Sequence, residues 1–107
     1  METQETRKIV RNYLDALSGK QKPPEVVDRY ISDADLALKE HIRGAEEAFP
    51  CYELVEEALV AEGDVAALRL RLRATHAPTG KRVDASLMIF YRLDDGKIVE
   101  HWMIMDN

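Results

Sequence analysis

The residues best suited to moving a proton near neutral pH are three histidines, His41, His76 and His101, and one carboxylate in an apolar setting, Asp106. Histidine titrates in the physiological range. A carboxylate among apolar neighbours is pushed up toward that range by desolvation, which suits general acid/base work. The strand pairing derived below sets Asp106 beside Ile104, Trp102, Leu87 and Leu72. His76 ends a strand on the same face, about 13 Å beyond Leu72, so the two bracket a pocket rather than form a dyad. Asp106 and His76 are therefore the catalytic candidates. The ordinary alternatives are a solvated chain end for Asp106 and a solvated turn residue for His76. Trp102, Tyr13, Leu72, Leu87 and Ile104 are candidate ligand-lining residues, with plain core packing as the alternative. His101 is read on the opposite face and His41 as a partly buried helix residue. The histidine spacing makes no HxxxH pattern, so no metal site is expected. Cys51 has no neighbouring His or Lys to activate it. There is no glycine-rich phosphate loop and no GxSxG.

These residues are carried on 107 positions, enough for one domain over residues 1–107 with a real core. The apolar share of 46% and charged share of 33% suit a globular protein. The net charge of −5 argues against nucleic acid or an anionic membrane as the main partner. Only the stripe Arg69, Arg71, Arg73 keeps an anionic partner open. The single cysteine allows no internal disulfide, which fits a reducing, cytoplasmic setting. No apolar run at the N-terminus suggests a signal peptide, and none is long enough for a membrane span.

Two periodicities divide the chain. Ile9, Val10, Tyr13, Leu14 and Leu17 recur at helical spacing, predicting a helix over 3–18 with Thr3 as its cap and Gly19 as its stop. Pro24 opens a second, short helix. Ser32–Asp35 breaks it and caps a third, in which Leu38, Ile42, Ala45 and Phe49 share a face. A strand over Leu36–Ile42 is the competing reading. From Tyr52 the period becomes two. Strands are expected at 52–60, 65–76, 82–93 and 98–106, with turns at Gly63-Asp64, Ala77–Gly80 and Asp95-Gly96. The last is a strong hairpin signal.

With Asp95-Gly96 as a two-residue loop, Leu93 faces Ile98, Tyr91 faces Glu100, Ile89 faces Trp102, Leu87 faces Ile104 and Ala85 faces Asp106. That face, joined by Leu68, Leu70, Leu72 and Ala74, receives the helices. The other carries Met88, Phe90, His101, Met103 and Met105, too apolar for a solvated sheet face. A second copy of the chain is the expected cover, through those five residues. The fold class is therefore α+β: N-terminal helices on a strongly curved antiparallel sheet of about four strands. Curled into a cone, such a sheet can hold a small apolar ligand.

The segments LKEHI at 38–42, AFPCYEL at 48–54, VAEGD at 60–64, the TH pair at 75–76, PTGKRV at 78–83 and DGKIVEHWMIMD at 95–106 run in the order found in a known family. Over about two thirds of its length the chain resembles the SnoaL-like polyketide cyclases of the nuclear transport factor 2-like superfamily. The resemblance implies a conical α+β barrel, a homodimer packed through the outer sheet, and ring closure by aldol chemistry without metal or organic cofactor. It implies Asp106 as the general acid/base and His76 as a pocket histidine. Only Ala77 separates His76 from Pro78, where the family has a longer lip, and the sequence stops at Asn107, where many members continue. Both departures lead us to expect a smaller or more open pocket. The leading expectation is a cofactor-free enzyme acting on a small apolar carbonyl compound. The competing one is a non-catalytic binding or scaffold domain with the same fold.

Overall fold

The computed structural model describes residues 2–105. Helix α1 spans Thr3–Leu17 and buries Val10, Tyr13, Leu14 and Leu17 on the face that the spacing predicts. Its cap position falls on Glu2, not Thr3, and carries no side-chain cap bond. The Thr3 hydroxyl is engaged elsewhere: it accepts from the Gly63 N–H at 2.9 Å, while the Thr6 hydroxyl donates to the Gly63 carbonyl at 2.5 Å. These contacts fasten the start of α1 to a strand turn. Helix α2, Pro24–Tyr30, begins with proline at its first position, where no N–H is needed. A 3₁₀ turn at Asp33–Asp35 leads into α3, Leu36–Ala48. The Asp35 carboxylate caps α3 by accepting from Leu38 N–H at 3.1 Å. The strand alternative for this stretch is overturned: Leu38 and Ile42 are buried, but Leu36 is 61% exposed, as helical spacing requires.

Four strands follow, β1 (Glu53–Glu62), β2 (Val65–Thr75), β3 (Arg82–Asp94) and β4 (Lys97–Met105). They form one antiparallel sheet in chain order. On β2 the alternation holds throughout: Ala66, Leu68, Leu70 and Ala74 are buried, while Arg69 and Arg73 face solvent. Leu70 opposes Leu87 and Leu68 opposes Ile89, so the inner face is continuous across β2 and β3. The three helices cover this face, and their apolar stripes merge with it in one core. Asp95 and Gly96 both have positive φ, 52° and 79°, the backbone that a tight two-residue hairpin demands.

The β3–β4 register departs from the regular hairpin two residue pairs beyond that turn. Leu93 faces Ile98 as expected, but Arg92 faces Glu100, leaving Val99 without a partner. This is a β-bulge, and because side chains alternate with period two it inverts every residue of β4 beyond it. Tyr91 therefore opposes His101, Ile89 opposes Met103 and Leu87 opposes Met105. Two expectations are corrected. Trp102 and Ile104 are not on the inner face; they stand on the outer one, 52% and 77% exposed. His101, Met103 and Met105 are not on the outer face; they point inward under the helices, where both methionines join the core. Met88 and Phe90 keep their outer positions, 58% and 46% exposed. A second bulge falls in β1, where Glu56 pairs with Leu70 and Ala58 with Arg69.

Candidate functional site: an apolar cone with a polar floor

Between the inner sheet face and the helices lies a cavity of about 330 Å³. Leu70, Leu72, Leu87, Ile89, Met103 and Met105 form its sheet wall. Tyr13 of α1 and Leu38, His41 and Ile42 of α3 form the helical wall, with Phe49 and Tyr52 from the segment that joins α3 to β1. Of the expected ligand-lining residues, Tyr13, Leu72 and Leu87 line it. Trp102 and Ile104 do not, because the Val99 bulge turns them outward.

The polar side chains of the lining are those of Tyr13, Tyr52, Tyr91 and His41. Tyr13 and Tyr91 pack edge to face, ring centroids 5.5 Å apart, and both are fully buried. Burial is the main cause that holds the Tyr13 hydroxyl protonated, reinforced by Tyr91, Tyr52 and Asp35 nearby. Burial likewise pushes Tyr91 up, only partly opposed by its contact with the Tyr13 hydroxyl. Tyr52 is raised by burial first and by Glu46 second. All three are hydrogen-bond donors across the ordinary pH range.

Behind this floor lies a pair that the sequence reading kept apart. Asp35, only 7% exposed, accepts from His101 Nδ1 at 2.7 Å through Oδ2, while its Oδ1 caps α3. One carboxylate thus joins the start of α3 to β4, across 66 positions of sequence. His41, in the second turn of α3, lines the cavity and has its pKa lowered, chiefly by desolvation and secondarily by His101. Both effects disfavour its charged form.

His76 is not among the cavity-lining residues. It lies in the turn after β2, Nδ1 within 2.8 Å of the Thr79 hydroxyl, its ring 5.2 Å from that of Phe49. Phe49, against which it packs, does line the cavity. Asp106 lies outside the described residues. Among the described residues no three His, Cys, Asp or Glu side chains gather as a metal would require.

A family model for SnoaL-like polyketide cyclases matches residues 10–107. The chain belongs to the SnoaL-like polyketide cyclase family. A search of curated proteins finds no match. Among solved structures, AclR of Streptomyces galilaeus, a hydroxylase candidate, superposes with a TM-score of 0.83 at 24% identity, over 98% of this chain and 77% of its own. A SnoaL-like polyketide cyclase of Agrobacterium tumefaciens gives 0.81 at 20% identity, over 99% and 93%. IdmH of Streptomyces antibioticus, a polyketide cyclase candidate, gives 0.79 at 20% identity, over 94% and 91%. At these identities the superpositions establish the fold: this SnoaL-like chain has the conical α+β architecture of its neighbours.

Sequence reasoning recognised Asp35 only as a helix cap and His101 only as an interface residue. The cap was visible because capping is local. Regular alternation puts the histidine on the outer face, because VEHW carries no glycine or proline to mark a bulge.

Proposed function

We propose that the cone holds a small, largely apolar, carbonyl-bearing molecule and performs general acid/base chemistry on it without a cofactor. The observation that carries this reading is the makeup of the cavity wall: apolar side chains, three hydroxyls held protonated, and the imidazole of His41, whose charged form burial disfavours. In such a wall a ligand carbonyl finds its best partners at the tyrosines. Removal of a proton alpha to that carbonyl shifts electron density onto its oxygen, where preorganised donors act most strongly in a water-poor site. Family resemblance nominates Asp106 as the base.

The test is hydrogen–deuterium exchange alpha to the carbonyl of 2-tetralone, followed by NMR in deuterated buffer. Exchange above the buffer rate is expected, slowed about 100-fold in Tyr91→Phe. Binding without exchange would favour a non-catalytic binding domain. That second reading draws support from the absence, among the described residues, of a carboxylate lining the cavity. No binding of neutral ketones would sink both.

A second copy of the chain is the proposed partner, seated on the outer sheet face. The corrected face centres on Met88, Phe90, Trp102 and Ile104. Its flanking charges are already paired within the protomer, Arg92 with Glu100 at 2.7 Å and Arg71 with Asp84 at 2.5 Å. Two such faces can therefore meet about a two-fold axis without stranding a charge. The exposed free thiol of Cys51 supports a reducing, cytoplasmic setting.

A further inference from the structure

The Asp35–His101 pair is a largely buried titratable contact that the family reading does not use. Asp35 is held by two donors, the Leu38 N–H at 3.1 Å and His101 Nδ1 at 2.7 Å. A carboxylate only accepts hydrogen bonds, so Nδ1 carries the hydrogen at this contact, and in the neutral ring Nε2 is the nitrogen with the lone pair. Three residues of the cavity wall adjoin His101: Tyr91 opposite it on β3, Met103 two places on along the same face, and His41, whose acidity responds to it. His101 itself is not among the cavity-lining residues; it stands next to these three, with its side chain 16% exposed. The Val99 bulge is what brings it here; a regular hairpin would have turned it outward.

We infer that Asp35 and His101 are the proton-handling pair of this cone, with Asp35 fixing the tautomer and His101 Nε2 serving as the base toward a bound ligand. This rests on reading the cavity as an acid/base site, and it offers a base other than Asp106. His101 is the catalytic residue and Asp35 the positioning one.

The pair can be tested without knowing the natural substrate, using 5-nitrobenzisoxazole, a small neutral aromatic. Nε2 takes the proton from the ring carbon; the electrons of that C–H bond complete a nitrile as the N–O bond breaks, releasing a coloured phenolate. The imidazolium then returns its proton to water, so no oxidant or further reactant is needed. We expect ring opening faster than with free imidazole, and a rate lowered about 100-fold in His101→Gln. Asp35→Asn is the informative variant. Asparagine caps a helix as well as aspartate, so α3 keeps its start. Its amide N–H would face Nδ1, moving the ring hydrogen to Nε2 and removing the lone pair. The rate should fall about tenfold or more, and long-range proton–nitrogen NMR should show the hydrogen on Nδ1 in the wild type and on Nε2 in the variant. A merely structural clasp would not link tautomer to rate in this way. Equal rates in the three proteins, or a wild-type hydrogen on Nε2, would overturn the inference. If the probe binds, shown by shifts of the Met103 and Met105 methyls, but its opening ignores His101, the pair falls and the cavity reading stands. If it does not bind, both fall.

Discussion

Trp102→Ala separates the observed register from the regular hairpin and tests the dimer together. A tryptophan side chain offers about 200 Å². Trp102 is 52% exposed, so roughly 100 Å² remains for a partner to cover. An isologous interface counts each substitution twice, giving about 200 Å² of lost burial per dimer. At about 25 cal/mol/Å² this is about 5 kcal/mol, or half that if contact is incomplete. The dimer Kd should rise between roughly 70-fold and 5,000-fold. Sedimentation equilibrium over a wide concentration range measures it. Met103→Ala, one residue along, is the control: its side chain faces the cavity, so dimerisation should be unchanged. A regular hairpin would exchange the two results. A wild-type protein that stays monomeric throughout, or a Trp102→Ala protein that dimerises normally, would refute the reasoning.

Two further outcomes are expected. The folded pKa of His41 lies below its ordinary 6.5, because burial disfavours the charge; the unfolded chain therefore binds that proton more readily. Its contribution to stability is full above about pH 6.5 and is lost as pH falls through the lower folded value. Urea midpoints should drop between about pH 7.5 and pH 5 less steeply in His41→Asn than in the wild type, and equal slopes would contradict this. Lys22→Met should cost about 3 kcal/mol in urea denaturation, because the buried amine bonds Glu46 at 2.9 Å and the Lys20 and Tyr52 carbonyls at 2.7 and 3.2 Å. A loss within error of zero would show these contacts to be redundant.

The helices and β2 were legible because their patterns are local and uninterrupted. Leu38 and Ile42 repeat at helical spacing, Leu68, Leu70 and Ala74 alternate with arginines, and Asp95-Gly96 is a turn by its own chemistry. The two bulges were not legible. Val99 and Glu57 are ordinary strand residues, and what makes each the unpaired one is the competition between whole strands for partners. A single missed residue then misplaced Trp102, Ile104, His101, Met103 and Met105 at once. Tyr13, Leu72 and Leu87 escaped because they lie on elements whose phase is set elsewhere. The Asp35–His101 contact spans 66 positions, beyond any local pattern. The family motifs gave the cone but not the depth of its floor.

The central claim is a ligand cavity on the inner face of a bulge-shifted β4. Carbon-13 labelling of methionine methyls tests it most directly, since Met88 stands on the outer face while Met103 and Met105 line the cavity. On titration with 2-tetralone, the Met103 and Met105 methyls should shift together and saturate at one Kd while Met88 stays in place. If all three shift alike, or Met88 alone does, the cavity and the register are both wrong.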